Sequence, residues 1–157
     1  MDTITKSFLK EFSANNNCQQ LSEAEAFEAF CNFSTVYLEV GNPNFDLFSI
    51  STGKNAQGID GIAVIVNNKH CTTVTEVKDF VELNGYLDVN FVLIQTKTSQ
   101  SFDNTKILNF LHYVKHFFDL SGSSTFNTLE MQNFLEIRDY IFEHSNLFIN
   151  RNPSCSL

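Results

Sequence analysis

Tryptophan is absent, and basic side chains are scarce: ten lysines and arginines stand against eighteen aspartates and glutamates in 157 residues, a net charge of -8. Domains held to nucleic acid by bulk charge carry a basic face, so the composition disfavours that mode of binding. It leaves room for a site that gathers carboxylates around a divalent cation, because the cation reverses the local sign. The four cysteines, Cys18, Cys31, Cys71 and Cys155, form no C-x-x-C pair and have no paired histidines at zinc spacing. They are expected to be free, buried thiols in a reducing compartment. No apolar run reaches the ~20 residues that a membrane span needs. The opening MDTITKSFLKEF lacks the apolar core of a signal peptide. The expectation is a cytoplasmic protein with no membrane partner. Internal repeats, low-complexity tracts and interdomain linkers are missing too.

What remains is an ordinary globular composition, 43% hydrophobic and 18% charged, with 17 phenylalanines that serve first as core filler. The length suits one domain with a sizeable core. Ile4, Phe8 and Phe12 recur at helical spacing within residues 3 to 13, and the polar stretch 13 to 20 reads as a loop. Ser22 and Glu25 form a capping box at the start of a second helix that carries Phe27, Phe30 and Cys31. FDLFSI (45–50) has the length and composition of a strand, and STGKNAQG after it reads as a hairpin connection. IAVIV (62–66) is apolar on both faces, as a strand covered on both sides should be. TEVKDFVELNG (75–85) reads as a short helix stopped by glycine, and VNFVLIQT (89–96) as the strongest strand. Ile107, Phe110, Leu111, Val114, Phe117 and Phe118 then mark one amphipathic helix, and Phe134, Ile137, Ile141 and Phe142 another, with SGSST (121–125) between them. The order of elements predicts an α/β layered domain with a small mixed sheet.

Polar residues on central strands need a reason, because burial without partners is costly. Asp60 stands immediately before IAVIV. Gln95 and Lys97 end the most apolar strand and share a face with Val89, Phe91 and Leu93. A carboxylate and an amide oxygen at such a place can hold Mg2+, and a neighbouring lysine adds positive charge, an arrangement suited to metal-assisted phosphodiester hydrolysis. The alternative is that Asp60 only shapes its glycine turn and that Gln95 and Lys97 lie at a solvated strand end. Glu28 interrupts a stripe made by Leu21, Ala24 and Cys31, either as a further carboxylate toward the metal or as a border residue reaching solvent. Thr98 and Ser99 follow the lysine, either as phosphate contacts or as the start of a loop. Asp46 suits a turn better than a ligand. His112 and His116 sit four apart with no third ligand. Lys54, Lys69, Lys97 and Lys106 are the candidates for a basic strip. The acids are dispersed along the chain, which argues against a DNA-mimicking inhibitor.

GIDGIAVIVN (58–67) followed by FVLIQTKTS (91–99) resembles the G-x-D…Q-x-K signature of Mrr-like nucleases of the PD-(D/E)xK restriction-endonuclease superfamily. More narrowly, FEAF (27–30), the STG…GIDGIAVIVN and QTKTS blocks and the final RNPSCSL resemble the N-terminal part of abortive-phage-infection proteins of the AIPR type. The resemblance implies a three-layer α/β/α restriction-endonuclease-like core with a small mixed central sheet and flanking helices. It further implies a Mg2+ or Mn2+ cofactor and a phage-defence setting. Asp60 would be the metal-binding aspartate, Gln95 the replacement for the acidic residue of the commoner pattern, Lys97 the catalytic lysine and Glu28 the helix glutamate. Members of that type continue beyond such a region. The expectation is therefore a single domain over 1–157, with the N-terminal part of a longer protein as one form of it. The implied partner is nucleic acid, DNA ahead of RNA. The rival expectation is a catalytically inactive nuclease-fold domain that serves binding or homodimerisation.

Overall fold

Gly61–Val66 forms strand β1, every residue of which is buried. The strand needs cover on both sides, and alternate residues meet different layers: Ile62, Val64 and Val66 join one apolar cluster, Ala63 and Ile65 another. The computed structural model describes residues 1–41, 44–54, 56–98, 103–121 and 126–157. Within them the chain is a mixed α/β protein with five α-helices and a four-stranded sheet. The strands besides β1 are β2 (Lys69–Cys71), β3 (Val89–Ile94) and β4 (Ser154–Ser156), in the order β2-β1-β3-β4. β1 runs antiparallel to both neighbours, and β4 lies parallel to β3. Asn67 and Asn68 both have positive φ, 51° and 64°, and link β1 to β2. That is the backbone of a tight primed turn, which asparagine tolerates better than most residues.

The helices begin where side chains can satisfy their first amides. Asp2 caps α1 (Thr3–Asn15). Ser22 and Glu25 close the expected capping box on α2 (Glu23–Val40), and Thr73 with Glu76 closes a second on α3 (Val74–Asn84). Gly85 ends α3 at φ 71°, as the sequence predicts. Asp103 caps α4 (Asn104–Phe117), and Thr128 caps α5 (Leu129–Glu143). On one sheet face Phe91, Leu93, Val64 and Ile62 pack with Phe110, Phe117, Phe134, Ile137 and Ile141 of α4 and α5. On the other face Val92, Ile94, Ala63 and Ile65 meet Val36 of α2 and Ile50. Helices therefore cover both faces. Each large side chain fully removed from water contributes ~1.5–3 kcal/mol, so this double cover is what stabilises the central strand pair.

Several local expectations change. Leu47–Ile50 is a turn of 3-10 helix capped by Asp46, and only Ser51 bridges to Gly61. The side chains of FDLFSI go to different places: Ile50 and Phe45 pack at the α2-side face of the sheet, Leu47 packs with α1 and α2, and Phe48 is half-exposed. In α1 Leu9 and Phe12 are buried while Ile4 and Phe8 face solvent, because α2 covers only one stripe of the helix. In α2 the inward stripe is Ala26, Ala29, Asn32 and Val36, which leaves Glu28 and Cys31 at its border. Cys18 and Cys71 are buried free thiols, but Cys155 is exposed on β4. No described helix is long and apolar enough to cross a membrane.

Candidate functional site

The antiparallel register of β1 and β3 sets Gly61 opposite Ile94. One residue before β1 therefore meets the residues just past β3. The Asp60 amide donates to the Ile94 carbonyl at 2.9 Å, and its carboxylate accepts from the Thr96 amide at 2.6 Å and the Thr96 hydroxyl at 3.0 Å. Both strand ends are thus stitched through one aspartate. Thr96 went unremarked between Gln95 and Lys97 in the sequence, yet it orients the carboxylate that those two flank.

Asp60 lines two clefts. The first, about 240 Å³, lies toward α2 and is lined by Glu28, Asn32, Glu25, Thr52, Lys54 and Asp60, among others. The second, about 780 Å³ and more open, lies toward α4 and brings Asp60 together with Gln95, Lys97, Lys106 and His112. Gln95 and Lys97 project there because they continue the face of β3 that packs on α4. The Gln95 amide nitrogen donates to the Gly58 carbonyl at 3.3 Å. Gly58 itself, at φ 71°, lies under the Tyr113 ring, so a side chain at that position would collide with it.

In the first cleft, burial and then the charges of Asp60 and Glu25 push the Glu28 carboxyl up to about 7. The Cys31 thiol is raised to about 11 by burial and then by the charges of Asp60 and Glu28. Both shifts mark a half-buried place that already holds negative charge. Glu25 behaves oppositely: the Lys54 ammonium at 2.8 Å, and then Ser22, hold it down to about 2. Asn32, four residues after Glu28, is only 2% exposed, and its side-chain oxygen has no hydrogen-bond partner. The signal for Asn32 in the sequence is a polar residue on the Ala29–Val36 stripe.

Among the described residues no three His, Cys, Asp or Glu side chains gather as a metal group. The donors present are two carboxylates supplemented by amide oxygens. This all-oxygen set, with one buried oxygen left unpaired, fits a hard divalent cation such as Mg2+ or Mn2+. Thr98 is exposed just beyond Lys97 and lines neither cleft. Ser99 lies outside the described residues. Asp46 accepts from the Phe48 amide at 3.0 Å and so serves the turn. His112 and His116 stack edge-to-face at 4.4 Å, with His112 on the rim of the second cleft. Lys54, Lys97 and Lys106 border the clefts, but Lys69 pairs with Val66 at the far end of β1. The strip therefore loses that member. Comparison with protein-family models, with curated proteins and with solved structures gives no match.

Proposed function

We propose that this chain is a Mg2+- or Mn2+-dependent phosphodiesterase domain acting on nucleic acid, DNA ahead of RNA, with the restriction-endonuclease-like core and the AIPR-type, phage-defence kinship that its QTKTS and GIDGIAVIVN blocks suggest. The observation that carries the reading is the double membership of Asp60, which faces Glu28 in one cleft and Gln95 and Lys97 in the other. Asp60 and Glu28 would hold the cation, and Gln95 would add an amide oxygen from the second cleft, on the other side of Asp60. The cation, when bound, supplies positive charge against the phosphate and acidifies water. Thr96 fixes the aspartate, so little reorganisation is needed when charge develops. Lys97 contributes a second positive charge in the wider cleft, where the phosphodiester lies. Water would add to phosphorus and give up a proton to solvent, one ester P–O bond would break, and the departing oxygen would take a proton from solvent. The wider cleft is open enough for a strand of nucleic acid, and a phosphate contact from Thr98, which lies outside the cleft lining just beyond Lys97, belongs to the same proposal.

A plasmid-nicking assay with Mg2+ or Mn2+ tests this. Asp60→Ala and Lys97→Ala should each lower nicking by at least ~100-fold with unchanged circular dichroism. Equal cutting by both variants and the parent would sink the reading. A second reading, a nuclease-fold module for homodimerisation, draws on one observation: Ile107, Leu108 and Leu111 are exposed together on α4. Light scattering at rising concentration distinguishes it, with a dimer lost on Leu108→Lys as its signature.

A further inference from the structure

We infer that Asn32 is an oxygen ligand of the divalent cation, completing the α2 side of the site beside Glu28 and Asp60; the inference rests on the metal-dependent reading above. Buried polar atoms are nearly always paired, and an unpaired one calls for an explanation. Asn32 lines the cleft that both carboxylates line, and its side-chain oxygen, beside Gly61, is buried and unpaired. The amide cannot simply be reversed. Its nitrogen approaches the Asp60 carbonyl at 3.5 Å, and rotation would set two oxygens against each other. Asn32 also follows Glu28 by four residues, so the two side chains stand on one helix face, a turn apart.

Packing alone does not account for the residue. Its neighbours on the stripe, Ala29 and Val36, are apolar, and an apolar side chain of similar volume would fill the place without stranding an oxygen. Gly61 contributes the missing room. Any side chain there would strike the Asn32 amide, so the start of β1 is left bare where the amide lies. Hard divalent cations accept amide oxygens alongside carboxylates. A neutral third ligand adds a donor to the site without adding a third negative charge to a place where Glu28 and Asp60 already repel.

Calorimetric titration of the whole chain with Mg2+, and separately with Mn2+, tests the assignment without reference to cleavage. Asn32→Leu keeps the volume and removes the oxygen. It should weaken binding about tenfold or more and shrink the rise in melting temperature that the cation produces. Asn32→Asp keeps the shape and adds charge, and it should bind at least as tightly as the parent. Parent-like affinity in a folded Asn32→Leu would overturn the inference and reduce Asn32 to a spacer between α2 and β1. Should Asn32→Leu fail to fold, Asn32→Asp decides: affinity below that of the parent overturns the inference, and affinity at or above it supports the inference. A parent that binds neither cation would overturn this assignment and the metal-dependent function together. Binding lost in Asp60→Ala but untouched in Asn32→Leu would overturn the assignment alone.

Discussion

Glu28 is the carboxylate of the candidate site that the fold pushes toward its protonated form. Burial and two neighbouring carboxylates raise its pKa from 4.5 to about 7, so the folded state favours the protonated form. The associated stability is fully present below the unfolded value near 4.5 and is lost as pH rises toward 7. Without divalent cation the melting temperature should therefore fall across that window. Glu28→Gln should flatten the fall and add on the order of 1 kcal/mol at pH 8, a figure held down by solvent screening of a half-exposed group. Thermal melts at pH 5, 6.5 and 8 check it, and an unchanged slope in the variant would refute the assignment of the effect to Glu28. The sequence marked Glu28, Asp60, Gln95 and Lys97 because each is polar next to an apolar run. It passed over Asn32 and Thr96 because their importance lies in what they touch across the fold, Asp60 in both cases. No spacing rule within one element expresses that.

At the level of elements, legibility followed the strength of local chemistry. The Ser22–Glu25 box, the glycine stop of α3 and the two apolar strands were each visible because one stretch of chain carries both the signal and its partner. The tight turn at Asn67–Asn68 was legible in principle, since paired asparagines suit positive φ, but β2 is too short to announce itself. FDLFSI failed as a strand because its apolar side chains are divided between the sheet face and the α1–α2 cluster, which a turn capped by Asp46 allows. The contact between α2 and β1 is the junction with least tolerance. Gly61→Ala would drive a methyl group into the Asn32 amide and should cost about 1–3 kcal/mol in urea unfolding, with Asn32→Ala partly rescuing it. Additive losses in the double variant would contradict that contact.

For the whole molecule, the balance of charge sets the terms of any encounter with nucleic acid. A net charge of -8 repels a polyanion at distance, so the proposed binding of nucleic acid would depend on local cations at the clefts. Lys106 borders the wide cleft, while Lys69 sits at the opposite end of β1, ~20 Å away along six strand residues. Lys106→Glu should lower DNA affinity at least fivefold in fluorescence anisotropy with Mg2+ present, a loss of ~1 kcal/mol. Lys69→Glu should leave it unchanged, and equal losses for the two would argue for a diffuse effect of charge.

The aspartate that joins the two strand ends also fixes when the candidate site can form. Asp60 meets Asn32 from 28 positions away and Thr96 from 36, so the parts of the site are scattered through the first two thirds of the chain. No segment emerging from the ribosome carries the site until β3 has been synthesised and laid against β1. A chain that stalls or is clipped before that point holds isolated carboxylates and nothing that can orient them. Pairing of β1 with β3 is thus the step that brings Asp60, Asn32 and Thr96 together, and a chain without β3 lacks that arrangement.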